Sequence, residues 1–220
     1  MPKIKPNLVY IENYIIPQSY RRIPRIIFLV ILAMFVSVLF CFGLKDFLLG
    51  LRFLSIWGFL LGFTYWPIMV YRNTDEKPTR KLANYYLLCL LGTFQTTVAY
   101  YSLVVYFNLP YKGFIMFWSH SIHFFPFFYL LVDFLYNNLI IGRRGFLFLL
   151  YFDLAYIVFY GICEFGFNTQ IYPGFSLKSL PAYVSAAILI GISFLVYSIL
   201  LCLQKRKYKI IRPEPLIVTD

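Results

Sequence analysis

The chain has 220 residues, 61% of them hydrophobic and only 13% charged, and its mean hydropathy is +0.73. A soluble domain of this size has no means of burying so much apolar surface, so the composition predicts a polytopic, all-α membrane protein. The net charge of +11 does not indicate a nucleic-acid-binding protein, because the basic residues flank the apolar runs. In that position they orient a membrane protein and attract anionic lipids.

Six apolar runs follow a polar N-terminal tail of residues 1–25. Each run is long enough to cross a bilayer as a helix, at about 1.5 Å per residue. The first run is too long for the core of a signal peptide and has no small-residue cleavage site, so we expect it to be retained. The sequence predicts one bundle of six transmembrane helices over residues 26–203 and a basic tail over 204–220. The spans cover about residues 26–44, 51–71, 82–107, 114–136, 145–163 and 181–203.

The Lys and Arg residues are divided unevenly between the two sides of this bundle. Sixteen of the 20 lie in the N-terminal tail, the loops after spans 2 and 4, and the C-terminal tail, whereas four lie in the remaining loops. Because the cytosolic segments of membrane proteins carry the excess of basic residues, we expect both termini to face the cytosol.

The residue types that commonly bind metals or cofactors form no recognisable site. The cysteines lie within or at the edge of apolar runs without CxxC spacing, so we interpret them as small hydrophobic residues (Cys41, Cys89, Cys163 and Cys202). The histidines form only an HxxH pair, and the glycines form no phosphate-binding motif. We therefore expect neither a metal ion nor a cofactor.

His120 and His123 are the only histidines, and both lie in the aromatic fourth span, where their spacing puts them on one helix face. An ionisable group at membrane depth is costly and is therefore a functional hypothesis. Such a histidine either takes the proton of a serine hydroxyl, which makes the serine a nucleophile, or bonds to another helix and stabilises the bundle. Eight serines in or near the spans are candidates: Ser37, Ser55, Ser102, Ser119, Ser121, Ser185, Ser193 and Ser198.

Spans 2 and 4 both enter the membrane from the non-cytosolic side, so Ser55 and His123 both belong to its outer half. With Trp118 at the interface, His123 lies about 7 Å below it. Because an unsatisfied histidine is costly in lipid, we expect an aromatic-lined cavity between spans 2 and 4, around Trp57, Trp118 and Phe124.

Asp133 and Asp153 are further carboxylates within the spans. Asp133 lies ten residues after His123, about 15 Å along the same helix, which is too far to orient the histidine directly. Acidic residues and histidines also line proton and solute pathways, so transport is an alternative function.

Six short motifs follow one another from span 2 to span 6. They are Arg52-Phe53-Leu54-Ser55, Arg80-Lys81-Leu82, Trp118-Ser119-His120-Ser121-Ile122-His123, Asp133, Arg144-Gly145 and Ile171-Tyr172-Pro173. In order and spacing they resemble the androgen-induced and androgen-dependent-TFPI-regulating protein family. Members of that family are six-span membrane hydrolases of fatty acid esters of hydroxy fatty acids.

The resemblance implies Ser55 as the nucleophile and His123 as the base, with His120 in a supporting role. Ser55 stands where the family has threonine, Phe124 replaces a polar residue, and Pro126 follows His123 by three positions instead of five. We expect a cofactor-independent lipid ester hydrolase of the endoplasmic reticulum membrane, acting on acyl esters.

A non-enzymatic membrane protein, either a lipid-binding partner protein or a transporter, is the alternative. The two functions depend on different residues. A transporter needs its carboxylates within the spans, Asp133 and Asp153, whereas the hydrolase needs Ser55 and His123.

The charge distribution predicts the position of three segments. Tags placed at either terminus, or in the loop of residues 72–81, should be reached by antibody in cells whose plasma membrane alone is permeabilised. Termini detected on opposite sides of the membrane would remove one span and contradict the six-span scheme.

Overall fold

The computed structural model describes residues 26–27, 29–30, 32–33, 36–37, 53–71, 80–107, 113–136, 141–142, 144–169, 171–172 and 176–211. We label the helical residues among 26–37 as α1. The helices with complete bounds are α2 (Leu54–Tyr71), α3 (Arg80–Phe107), α4 (Gly113–Tyr136), α5 (Phe146–Gly161), which continues into a π-helix (Ile162–Gly166), and α6 (Leu180–Ile211). The described part of the chain contains no strand, which confirms the predicted all-α fold there. The predicted tail of residues 1–25 lies outside the described residues, as do residues 212–220.

Helices α2 to α6 coincide with the predicted spans 2 to 6. The largest difference is at the end of α6, which continues to Ile211 although the apolar run ends at Leu203. Lys205 and Arg206 are exposed there, and both residue types favour helix, so the helix extends past the end of its apolar segment.

Helix α3 lies at the centre of the bundle and packs against α2, α4, α5 and α6. It runs antiparallel to α4, because Tyr86, in its first half, bonds to Leu130, whereas Thr97, in its second half, bonds to His123. Large apolar side chains of α2, α3 and α4 fill the core between them: Tyr65, Trp66, Tyr86, Leu87, Leu90, Leu91 and Leu130.

Among the described residues, two helical segments are long and apolar enough to cross a membrane, Phe146–Gly166 and Leu180–Arg206. Their outward surfaces carry large apolar side chains, including Tyr151, which is 65% exposed, and Leu195, which is 59% exposed. Contiguous exposed apolar surface of this kind marks a site of contact with lipid or with another protein. These two helices support the predicted membrane location.

Two glycines allow α2 to approach the other helices closely. A Cβ atom at Gly62 would lie 3.1 Å from Pro126 Cβ in α4 and 3.3 Å from Thr93 Cγ2 in α3. A Cβ atom at Gly58 would collide with Thr96 Cγ2 in α3. Small residues at such positions let helix backbones pack together, which is a common basis of helix association in membranes.

Basic side chains collect at one end of the bundle, where α3 and α5 begin and α6 ends. Gln204 of α6 joins the end of this helix to the segment before α5, because its Oε1 accepts the Ile141 N–H at 2.7 Å. We call this the basic end; its described basic side chains, all exposed, are Arg80, Lys81, Arg144, Lys205 and Arg206. Among the basic side chains that the structure describes, Lys178 alone lies at the opposite end, which contains the start of α2 and residues 167–169, 171–172 and 176–179.

The close contact at Gly58 predicts that the same substitution, glycine to alanine, changes thermal stability differently at two positions. Gly58→Ala should lower the thermal unfolding midpoint of the detergent-purified protein by roughly 3–10 °C, because overpacking against Thr96 costs about 1–3 kcal/mol. Gly191→Ala should not lower it, since no atom lies within 4 Å of the added Cβ and alanine favours helix. Equal midpoints for the two variants in scanning fluorimetry would contradict the close contact between α2 and α3.

Candidate active site

His123 is held in a defined orientation on α4. Its Nδ1 lies 2.6 Å from the main-chain oxygen of Ser119, one turn earlier. A carbonyl oxygen only accepts hydrogen bonds, so Nδ1 carries the proton and, in the neutral ring, Nε2 carries the free lone pair. The ring also stacks on Tyr100 of α3, with centroids 3.7 Å apart and planes at 12°. His123 is therefore oriented as a base whose reactive nitrogen is Nε2.

The backbone of His123 is fixed by the same central helix. Thr97 Oγ1 lies 2.5 Å from the His123 carbonyl oxygen and 2.8 Å from that of Thr93, so its single proton is shared between two acceptors. Pro126, inside α4, lacks a backbone N–H and disturbs the normal helix hydrogen bonds in this turn. The threonine bond thus secures α4 to α3 close to the proline.

His120 contacts the same part of α3. Its Nδ1 lies 3.2 Å from Tyr101 Oη, and its ring lies nearly parallel to Tyr101 and edge-on to Tyr100. We call His120, His123, Tyr100 and Tyr101 the histidine–tyrosine cluster. The structure thus places the two histidines, as the HxxH spacing predicts, on one face, and that face meets α3.

Ser55 is the second residue of α2 and is half-buried. It precedes Gly62 by seven residues, two helical turns, so it lies on the α2 face that meets Pro126 of α4. Because α2 and α4 run parallel and His123 precedes Pro126 by three residues, Ser55 and His123 differ by about 6 Å along the bundle. The described hydrogen bonds do not join Ser55 to His123, so their catalytic pairing stays a prediction.

Tyr172 lies beside Ser55, at the start of α2. Its hydroxyl oxygen accepts the Leu54 N–H at 3.0 Å, and its ring meets Phe53 edge-on. Burial raises the pKa of Tyr172, so the phenol stays neutral. The Ile171-Tyr172-Pro173 motif is more than 100 residues from Ser55 in the chain, and the fold brings its tyrosine to the residue that precedes the predicted nucleophile.

The loop that carries Tyr172 is anchored to the end of α5. Glu164, in the π-helix, accepts the Leu177 N–H at 2.8 Å and the Ser176 hydroxyl. Main-chain bonds from Phe167 to Ile162 and from Thr169 to Cys163 close the same turn. Glu164 therefore positions the loop over the start of α2, a role that its sequence position did not reveal.

The aromatic residues expected around the histidines are not all brought together. Trp57 packs on Phe152, Tyr156 and Phe159 of α5, with ring centroids 5.4–6.0 Å apart, and so faces away from α4. Phe124 is 39% exposed and stacks on Phe128 of its own helix. The side chain of Trp118 lies outside the described residues. The expected cavity around these three residues stays a prediction.

Asp133 has a structural environment near the basic end of the bundle. Tyr65 Oη of α2 donates to Asp133 Oδ2 at 2.8 Å, and the carboxylate is buried. Tyr86 Oη of α3 donates to the Leu130 carbonyl at 2.7 Å, one turn before Asp133. These bonds join α2, α3 and α4, which agrees with the expectation that Asp133 does not orient His123.

A cavity of about 510 Å³ lies between α3, α5, α6 and the start of α2, and we call it the lateral cavity. Gln95, Ala99 and Ser102 line it from α3, on the helix face opposite Tyr100 and Tyr101. Gln95 Nε2 donates to Asp153 Oδ2 at 3.1 Å inside the cavity. Asp153 is a candidate from the sequence because it is a carboxylate within a span, whereas Gln95 is not among the candidates, and its only signal is an amide in the middle of an apolar run.

No family model matches the chain, and no curated protein or solved structure matches it. Among the described residues, no group of three or more His, Cys, Asp or Glu side chains is placed to hold a metal ion.

The bond from His123 to Ser119 predicts a single tautomer. In protein labelled with ¹⁵N-histidine in lipid nanodiscs at neutral pH, His123 should show a protonated Nδ1 and an unprotonated Nε2. The chain has only two histidines, so a His120→Gln variant assigns the signals. A proton on Nε2 of His123 would contradict its orientation as a base.

Proposed function

We propose that the chain is a six-span integral membrane hydrolase of lipid esters, with both termini in the cytosol. Two apolar helices and a set of basic side chains at one end of the bundle support the membrane arrangement. The positive-inside rule assigns the basic end to the cytosol, so Ser55 and the histidine–tyrosine cluster belong to the outer half of the membrane. We further propose the endoplasmic reticulum as the location.

The proposed reaction proceeds through an acyl-enzyme. His123 Nε2 removes the proton of Ser55 Oγ as the oxygen attacks the ester carbonyl, and the protonated ring then gives this proton to the departing alkoxide. Water next attacks the acyl-serine; His123 takes the proton of the water and returns it to Ser55 as the free acid leaves. The chain supplies nucleophile and base from α2 and α4 without a cofactor.

The observation that carries the proposal is the hydrogen bond of His123 Nδ1 to the Ser119 carbonyl. A histidine base needs a third group that holds the ring and fixes the tautomer, and here a backbone oxygen provides both. Helix geometry adds that Ser55 lies on the α2 face directed to α4. The two residues differ by about 6 Å along the bundle axis, and catalytic contacts in a free enzyme are often long and tighten only when substrate binds.

Fatty acid esters of hydroxy fatty acids, or related acyl lipids, are the proposed substrates. Such molecules dissolve in the bilayer and reach the site from its apolar core. Aromatic side chains flank the histidines, including Phe124 and Phe125, and provide apolar surface for an acyl chain.

A non-enzymatic lipid-binding function is the second candidate. The observation that favours it is the lateral cavity, because the largely apolar lining of this cavity contains neither Ser55 nor a histidine. A lipid held there would be bound without reaching the proposed nucleophile.

The hydrolase proposal predicts strongly non-additive effects. Ser55→Ala and His123→Ala should each lower turnover of a branched fatty acid ester by about 10³-fold or more, and the double variant should be hardly worse. Ser55→Thr should keep measurable activity because it keeps the hydroxyl. The turnover of each of these four variants is measured as the release of fatty acid by the detergent-purified protein.

Ser198→Ala is the matched control, since the described hydrogen bond of Ser198 Oγ, to the Phe194 carbonyl, lies within α6 and the residue is outside both the cluster and the described lining of the lateral cavity. It should keep full turnover. Unchanged turnover in a folded Ser55→Ala protein would remove the mechanism and favour the lipid-binding function.

A further inference from the structure

The lateral cavity has the size of a small-molecule binding site, since such sites occupy about 300–1,000 Å³ and its volume is about 510 Å³. Its walls are largely apolar, with Val98 on α3, Ile157 on α5 and Leu189 on α6. Tyr183 and Ile188 of α6 also line it, and each is 56% exposed, so the cavity reaches the outer surface of the bundle. With α6 in a membrane, that surface faces lipid, and a ligand enters from the bilayer.

The Gln95–Asp153 pair forms a polar patch in the wall of this apolar cavity. Gln95 is 1% exposed, and its Nε2 donates to Asp153 Oδ2, whereas its Oε1 is buried and has no hydrogen-bond partner among the described residues. Asp153 lines the cavity and is half-buried, so its carboxylate oxygens are the acceptors within reach of a ligand. The described lining contains no Lys, Arg or His.

We propose that the lateral cavity binds a single-chain amphiphile whose head group donates hydrogen bonds, either an alcohol or a primary ammonium. The head donates to the Asp153 carboxylate, which Gln95 Nε2 holds in place, and the alkyl chain lies along the apolar walls toward Tyr183. A fatty acid anion fits poorly, because its oxygens meet acceptors and a carboxyl group without any positive charge to compensate. This site is separate from the histidine–tyrosine cluster and does not depend on ester hydrolysis.

The test compares three ligands of equal chain length on the full-length protein in detergent at pH 7.5. Dodecylamine, dodecanol and dodecanoate differ only at the head, and native mass spectrometry measures the bound fraction of each. Dodecylamine and dodecanol should bind at least about tenfold more tightly than dodecanoate. Binding should be the same in Ser55→Ala protein, so that failure of the hydrolase proposal leaves this measurement valid.

Two substitutions in this polar patch distinguish between the two possible head groups, an alcohol and an ammonium. Asp153→Asn keeps an acceptor for Gln95 but removes the charge, so it should weaken dodecylamine about tenfold or more and dodecanol less than about threefold. Gln95→Met removes the amide that holds Asp153 Oδ2 in place and should weaken both ligands about three- to tenfold.

A second pair of variants tests the cavity itself without changing Gln95 or Asp153. Ala186 lines the cavity, whereas its neighbour Ala187 is exposed and does not. Ala186→Phe should abolish binding by filling the volume, and Ala187→Phe should leave it unchanged. Dodecanoate binding as tightly as dodecylamine and dodecanol, no binding of any of the three, or equal effects of the two phenylalanine variants would each overturn the proposal.

Discussion

Polar side chains on a central helix are the constraint on which the rest of this bundle depends. α3 carries Thr93, Gln95, Thr96 and Thr97, all buried, within little more than one turn, and an apolar bundle offers them few partners other than backbone carbonyls and other polar side chains. Thr93 and Thr96 bond within α3, whereas Thr97 reaches the His123 carbonyl of α4 and Gln95 reaches Asp153 of α5. Satisfying these groups fixes α4 on one side of α3 and α5 on the other.

The same geometry divides the two candidate sites. Thr97, Tyr100 and Tyr101 project from one face of α3 and hold the histidines, whereas Gln95, Ala99 and Ser102 project from the opposite face and line the lateral cavity. Ser55 belongs with the histidine–tyrosine cluster, because it lies on the α2 face that is directed to α4. Its neighbour Leu54 lines the lateral cavity. The start of α2, held by the Tyr172 hydroxyl, is therefore the point where the two sites approach each other.

The presence of the helices could be predicted from the sequence, because each apolar run is long. The shared face of His120 and His123 also followed from their spacing alone, and Asp133 could be excluded as a partner of His123 by distance along one helix. Contacts between helices could not be predicted. Three of these contacts depend on the packing of segments far apart in sequence. They are the rotation of α2 that directs Trp57 to α5, the pairing of Gln95 with Asp153, and the placement of Tyr172 beside Leu54. An apolar run looks alike on all its faces, so hydrophobic periodicity gives no guide to these orientations.

The central claim is that Ser55 is a nucleophile activated by His123, and covalent trapping tests it most directly. The purified protein is treated with a fluorophosphonate, and the modified peptide is located by mass spectrometry. Our account predicts one adduct, on Ser55 Oγ, which is lost in His123→Ala protein and retained in Ser198→Ala protein. An adduct on another serine, or ester hydrolysis that continues after Ser55 is fully modified, would contradict it.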